Sequence, residues 1–293
     1  MRVLITGANG QLGYELLKSA PPAAELLGYD LDRLDISDTA AVAHCVNRER
    51  PTLLINAAAY TAVDRAESEA TLAYAVNRDG AVHLARAARA LDVPLLHVST
   101  DFVFDGSSGL PYLPNAPAHP LGVYGASKQA GDERVLATLG EQALILRTAW
   151  VYSAHGNNFV KTMLRLMAER DSLGVVCDQI GTPTWAKGLA EALWRAAALG
   201  LTGIHHWTDA GVASWYDFAV AIQEEALALG LLQRAIPLRP IRTCDYPTPA
   251  RRPACCVLDK SLTWEALGLE PLHWRVALRQ MLQQLAEAAD VAA

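Results

Sequence analysis

Five short apolar runs set the limits on what this chain can fold into. Residues 2–6 (RVLIT), 26–30 (LLGYD), 52–57 (TLLINA), 94–99 (PLLHVS) and 143–148 (ALILRT) each end beside Gly, Asp, Asn, Ser or Thr. Between them lie alanine-rich segments whose apolar residues recur three and four apart, as in 72–91 (LAYAVNRDGAVHLARAARAL). Continuous apolar strands alternating with amphipathic helices are the pattern of a parallel sheet covered on both faces. The expected class is therefore α/β, with a doubly wound parallel sheet.

Beyond about residue 150 the alternation loosens. Helical patterns occupy 159–170, 215–229 and 274–289, a strand-like run covers 203–208 (GIHHWT), and a proline-rich loop covers 237–253. This arrangement predicts a nucleotide-binding half over 1–150, rejoined by a helix near 185–200. A smaller mixed α/β lobe over 151–293 would close on the carboxyl edge of the sheet and take the substrate. His205 and His206 are adjacent on the strand-like run, so they point to opposite faces and cannot share one metal.

The segment ITGANGQLGYEL places Gly7, Gly10 and Gly13 between the first strand and a helix starting near Gln11. Glycines there allow a tight turn and let backbone N–H groups approach a pyrophosphate, which the helix N-terminus favours. With the strand before and the helix after, this is a Rossmann-type signature. Gly7, Asn9, Gly10, Gln11, Leu12 and Gly13 are the candidates to face a dinucleotide. Asp30 closes the second run about twenty residues later, where a carboxylate receives adenosine ribose hydroxyls. Arg33, three residues on, could instead clamp a 2′-phosphate, which leaves NADH and NADPH both open. Asp35 and Ile36 could close over the adenine, and Ala57, Ala58, Ala59 and Tyr60 after the third strand offer small side chains where a dinucleotide passes close to backbone.

The fourth strand ends in Ser99-Thr100-Asp101, at the edge where open α/β sheets bind ligands. Further on, VYGASK sets Tyr124 and Lys128 four residues apart at the start of a helix expected over Gln129 to Leu139, and so on one helix face. Were a nicotinamide to lie there, Lys128 could hold its ribose and lower the Tyr124 phenol from its usual value near 10. Tyr124 would then serve as a general acid.

Composition removes other classes. The 293 residues carry a net charge of −6, with no basic run longer than Arg251-Arg252, which argues against nucleic-acid and anionic-membrane surfaces. Only a few apolar residues precede Gly7, too few for a signal peptide, and charges interrupt the longer apolar segments. Five cysteines without CxxC spacing read as reduced thiols, so a cytoplasmic protein is expected.

Taken in order, TGANGQLG, the strand-end Ser/Thr and YGASK resemble the extended short-chain dehydrogenases/reductases. NAAAYTAVDRAESE (56–69), STDFVFDG (99–106), RTAWVYSAHGNNFVKTML (147–164), DQIGTPT (178–184) and YPTPARRP (246–253) narrow the resemblance to the dTDP-4-dehydrorhamnose reductases. That resemblance implies NAD(P)H-dependent reduction of a dTDP-4-keto-6-deoxy sugar to dTDP-L-rhamnose. It puts the catalytic triplet on Thr100, Tyr124 and Lys128. Asp101 and Trp150 fall on positions touching the sugar, and Asn158, Phe159, Arg251 and Arg252 on segments facing the nucleotide diphosphate. Phe102 replaces the family's usual tyrosine. Some relatives hold Mg²⁺ between the subunits of a homodimer through glutamates; Glu15 matches, but Lys187 and Gln284 stand at the other two positions, and a charged lysine does not ligate a hard cation. Two other readings stay open: an epimerase or reductase of another nucleotide sugar, and a non-catalytic dinucleotide-binding regulatory subunit.

Overall fold

Period-two burial decides the central layer. Along strand β1 (Arg2–Thr6), Val3 and Ile5 enter one apolar cluster and Leu4 enters the other, and none of the three is exposed. Strands β2 (Glu25–Tyr29), β3 (Leu53–Asn56), β4 (Leu95–Thr100), β5 (Ala143–Thr148) and β6 (Gly203–His206) complete an all-parallel sheet in the order β6-β5-β4-β3-β1-β2. The coordinates are a computed structural model describing residues 1–292.

Eight longer helices accompany the sheet: α1 (Gln11–Lys18), α2 (Thr39–Glu49), α3 (Ala81–Leu91), α4 (Val123–Leu139), α5 (Phe159–Glu169), α6 (Ala186–Leu199), α7 (Trp215–Ala228) and α8 (Trp274–Ala292). On one face, Leu54, Leu95 and Ile145 pack against Val42 of α2, Leu84 of α3 and Val135 of α4. The opposite face sets Ile55, Leu144 and Leu146 against Leu16 of α1 and Leu189 and Leu193 of α6. Each such side chain contributes about 1.5–3 kcal/mol when fully buried, so both faces are held by the same non-directional force. A third cluster stands apart from the sheet, where Val160 and Met163 of α5, Phe218 and Ile222 of α7, and Leu278 and Met281 of α8 meet. Short strand pairs trim it: Leu173–Val176 runs parallel to Leu238–Ile241, and Ile180–Gly181 antiparallel to Ala213–Ser214.

Three elements differ from their sequence pattern. The run 72–91 is broken into a short helix Ala70–Tyr74, a π-helical stretch Ala75–Gly80 and then α3. The wide turn brings Asn77 inward, where it bonds the Tyr60 backbone through both ends of its amide and donates to Ser127. Helix α4 starts at Val123, within the VYGASK motif, because Glu67 from a distant loop accepts the Val123 N–H at 2.9 Å and caps it. The proline-rich loop 237–253 contains the strand Leu238–Ile241, its ladder partner being a stretch that the alternation pattern had not marked. His205 and His206 bond the carbonyls of Thr202 and Asp259 respectively. Cys255 and Cys256 are free thiols, as are Cys45, Cys177 and Cys244, and no described helix is long and apolar enough to cross a membrane.

Candidate active site

The chain leaves β1 toward β2 on one side and later crosses to β3 on the other, so a crevice opens at the carboxyl ends between β1 and β3. The glycine turn sits there and is nearly touched by the loop after β3. Gly7 has φ 71°, and a Cβ on it would stand 2.7 Å from the Ala58 nitrogen and 2.8 Å from the Ala57 carbonyl oxygen. Gly10 precedes α1 in extended conformation with no side-chain cap, so the first N–H groups of the helix are available to an anion. The chain's own features therefore fit a dinucleotide pyrophosphate. The Leu12 side chain is buried beneath β1, so this residue offers only backbone to a ligand.

Asp30 does two things at the turn. Its carboxylate accepts the Asn9 N–H and the Leu31 N–H, both at 2.8 Å, which braces the glycine loop from the end of β2. The Arg33 guanidinium is exposed, lies over the Tyr29 ring at 4.6 Å and donates to the Gly28 carbonyl. The Asp35 carboxylate accepts from the Ser37 N–H and hydroxyl, and the Ile36 side chain is buried against Gly80. Tyr60 donates its hydroxyl to Glu69 at 2.6 Å.

Across the crevice, β4 ends in Thr100. Its hydroxyl donates to Asp101 at 3.1 Å and accepts the Phe102 N–H at 3.2 Å. Helix α4 comes down on this turn because residue 125 is glycine: a Cβ there would lie 2.1 Å from the Phe102 carbonyl oxygen. That contact sets Tyr124 beside Thr100, with the Phe102 ring edge-on to the phenol at 5.5 Å. Burial pushes the phenol up to about 12; the Thr100 hydroxyl pulls it down, and the Asp101 and Asp132 carboxylates push it up again. Lys128 is not among the groups that shift this phenol in the chain without cofactor. Lys128 is 1% exposed, donates to the Val98 carbonyl at 2.7 Å and stands 3.2 Å from His97. Its ammonium is itself held down to about 8 by burial, against the attraction of Asp132.

Asp101 is 2% exposed, and one of its carboxylate oxygens has no partner among the described residues. Burial raises it to about 7, opposed by the hydrogen bonds it accepts from Thr100 and backbone. Trp150 adopts φ 47°, a left-handed conformation costly for a bulky residue, and its indole stacks on Trp215 at 3.5 Å. Gly181 leaves the space that indole needs, since a Cβ would come within 2.7 Å of it.

The other residues expected at the ligand also make contacts within the chain. The Asn158 amide donates to Gln11 and to the Ser153 carbonyl, and its oxygen caps α5 at the Lys161 N–H. It thus ties the glycine turn to the third cluster, with His155 on the Asn9 carbonyl and Ser153 on Glu15 alongside. Phe159 packs on Trp215 and Phe218. Arg252 forks onto Asp64 at 2.8 and 3.0 Å, leaving Arg251 as the exposed guanidinium of the pair. Glu15 is buried on Ser153, Lys187 lies over the Trp185 ring, and no group of three His, Cys, Asp or Glu able to hold a metal occurs among the described residues. Pattern reading missed Asn56, Asn77, His97 and Asp132, which lie buried beneath the triplet. A histidine inside the otherwise apolar LLHVS was the available signal.

A glycine turn at the switch point of a parallel sheet, with Thr, Tyr and Lys gathered at the end of the fourth strand, defines an extended short-chain dehydrogenase/reductase. Within that class the chain belongs to the family described as RmlD substrate binding domain, whose model matches residues 1–287. A dTDP-4-dehydrorhamnose reductase of Aggregatibacter actinomycetemcomitans is 46% identical over 96% of this chain and 98% of its own length. The crystal structure of a dTDP-4-dehydrorhamnose reductase from Clostridium acetobutylicum superposes with a TM-score of 0.92 at 38% identity, covering 97% of this chain and 99% of the other. That of the Bacillus anthracis enzyme in complex with NADP gives 0.91 at 35% identity, covering 97% and 99%.

Proposed function

We propose that this chain reduces the C4 ketone of dTDP-6-deoxy-L-lyxo-4-hexulose with NADPH or NADH, giving dTDP-L-rhamnose. The observation that carries the reading is the convergence of Thr100, Tyr124 and Lys128 beside the uncapped glycine turn, in a chain similar over its length to reductases of this substrate. A reduced nicotinamide supplies hydride when bound; the rest is work for the chain's own groups. The α1 N-terminus receives the pyrophosphate. Tyr124, a phenol still protonated at neutral pH, gives its proton to the alkoxide that forms at C4. The Thr100 hydroxyl turns from Asp101 to the same oxygen, and Lys128 holds the ribose side. Residues 1–150 with α6 carry the cofactor in this reading, and the third cluster, with Trp150, Asp101 and Arg251, takes the sugar nucleotide. Free thiols suit a cytoplasmic setting.

The test is loss of nicotinamide absorbance on adding purified protein to NADPH or NADH and the 4-keto sugar nucleotide made in situ, with the product identified by chromatography. Rapid oxidation yielding the rhamnosyl nucleotide is expected. Silence from protein that still binds either cofactor overturns the substrate assignment.

Arg33 decides between the cofactors. It is the exposed cation near Asp30, so Arg33→Ala is expected to lower the preference for NADPH over NADH by roughly tenfold, the worth of one charge-assisted contact. An unchanged ratio of kcat/KM values removes Arg33 from phosphate recognition.

The Asp64–Arg252 pair joins the segment after β3 to the loop bearing Arg251. Its side chains are 38% and 23% exposed, so its stability contribution is small, about 1 kcal/mol or less. Asp64→Ala also removes the acceptor for the Ala250 N–H and frees the loop. The expected result is a several-fold higher KM for the sugar nucleotide with an unchanged KM for NADPH and nearly unchanged thermal unfolding; equal KM values would show that the strap has no part in substrate binding.

A further inference from the structure

Beneath the site a buried line of polar side chains leads to Lys128 through residues that the proposed chemistry does not use. Thr6 donates its hydroxyl to the Asn56 oxygen at 2.7 Å, and the Asn56 nitrogen meets His97 Nδ1 at 2.9 Å. His97 Nε2 in turn stands 3.2 Å from Lys128 Nζ and 3.7 Å from Asp132 Oδ1. Asn56, His97, Lys128 and Asp132 are each 1% exposed.

Hydrogen positions along this line follow from one fixed donor. The Ala58 backbone N–H lies 3.1 Å from the Asn56 side-chain oxygen, and a backbone N–H can only donate. The Asn56 oxygen therefore faces Ala58 and Thr6, its NH₂ faces His97, and Nδ1 must present a lone pair. Burial and the neighbouring Lys128 charge both hold His97 well below the usual imidazole value, so the ring is neutral and its one proton is on Nε2. That N–H points toward the side on which Lys128 stands. An ammonium has three donors and no acceptor, so two donors oppose each other at 3.2 Å unless Nζ offers a lone pair. Lys128 Nζ still satisfies the Val98 carbonyl in either form.

We propose that His97, fixed as the Nε2–H tautomer by Asn56 and Ala58, is a positioning residue that disfavours the ammonium form of Lys128 and so sets when this lysine carries its proton. The inference deepens the reductase reading and rests on it for its catalytic meaning. The other charged or titratable groups facing this spot are Tyr124 and Asp132 on α4, Asp101 after β4 and Arg147 on β5, whose guanidinium lies 3.4 Å from Asp132. Asp132 favours the ammonium and burial opposes it; in this proposal the His97 N–H adds to the opposition. The balance leaves both forms of Lys128 within reach near neutral pH. A lysine so poised, one helical turn from Tyr124, can return a proton to the phenolate left after the substrate alkoxide is protonated, then regain one from water.

The tautomer is read without any turnover, by nitrogen NMR of the whole protein labelled at histidine. The His97 ring is identified by the resonances that move in Asn56→Asp, or in Lys128→Met should the first variant not fold. A neutral ring protonated on Nε2 across the neutral range is expected; a ring protonated on Nδ1, or a charged one, overturns the proposal. In Asn56→Asp the carboxylate demands the proton on Nδ1, so Nε2 becomes an acceptor for the ammonium. The Lys128 midpoint, followed through its ε-carbon, is expected to rise by about one pH unit, with the alkaline limb of kcat/KM moving the same way. Repeating the change in a His97→Phe background keeps the added charge and removes the ring, and there the rise is expected to be clearly smaller. An equal rise in both backgrounds overturns the proposal. Failure of the reductase reading would appear separately, as absent turnover with the tautomer and the Lys128 titration intact.

Discussion

Tyr124→Phe lowers turnover by roughly 10²- to 10⁴-fold, the ordinary worth of a positioned general acid, while NAD(P)H affinity stays close to that of the unchanged protein. The substitution removes one oxygen and keeps the ring that packs edge-on against Phe102, so the fold should not register it. No neighbour can take over the proton. Thr100 holds its only hydroxyl proton toward Asp101, with far too high a pKa to act as an acid, and Lys128, which donates to Val98 one helical turn away, reaches the substrate oxygen only through the phenol that the substitution removes. Single-turnover absorbance measurements separate chemistry from product release, and nicotinamide fluorescence gives the affinity. Turnover within a few-fold of the unchanged protein would end the assignment of Tyr124. A parallel loss of cofactor affinity would mean instead that the phenol holds the cofactor and that its proton is incidental.

The raised phenol changes what that experiment means. A tyrosine pushed up to about 12 is a reliable proton carrier at every physiological pH, but a reluctant acid. Its donation becomes favourable only toward a group more basic still, such as the alkoxide produced at C4. Premature loss of the proton to water is correspondingly suppressed. The expectation of a depressed phenol was made for a bound nicotinamide; in the chain alone the Lys128 ammonium is buried and turned onto β4.

What the sequence made legible was whatever depends on local spacing. The strands announced themselves because parallel strands buried on both faces need unbroken apolar runs, and the glycine turn because its geometry admits little else. The Thr, Tyr and Lys positions could be picked out since each lies at a strand end or a helix start. Illegible were the contacts between distant segments. Nothing in VYGASK says that Glu67 will cap α4, and nothing in ARRP says that Arg252 will be taken by Asp64. Asn158 was placed at the ligand by the resemblance alone; that its amide also bonds Gln11, Ser153 and Lys161, two of them close in sequence and one on the opposite side of the crevice, could not be read from the motif. The π-helical stretch at Ala75–Gly80 was hidden for the same reason, since it lies within an alanine-rich run that fits an ordinary helix and only the long-range bonds of Asn77 account for the wider turn.

Gly13→Ala is the other substitution with a large expected effect, and Gly10→Ala is its control. A Cβ at residue 13 would stand 2.1 Å from the Gly7 carbonyl oxygen and 2.6 Å from the Ala8 Cα, all of it backbone that cannot swing aside. Either α1 moves off β1 or the turn reshapes, so stability is expected to fall by roughly 1–3 kcal/mol or more, and dinucleotide affinity by at least tenfold. At residue 10 the nearest atom is the same Gly7 oxygen at 3.2 Å, a contact that a shift of a few tenths of an ångström relieves. Gly10→Ala should therefore keep the melting temperature and still weaken binding, because its methyl group occupies the space through which backbone approaches a pyrophosphate. Thermal unfolding with and without NADPH, together with fluorescence titration, distinguishes the two. Equal melting temperatures for both variants would show that helix packing does not depend on Gly13. Equal affinities for Gly10→Ala and the unchanged chain would place the pyrophosphate somewhere other than the N-terminus of α1.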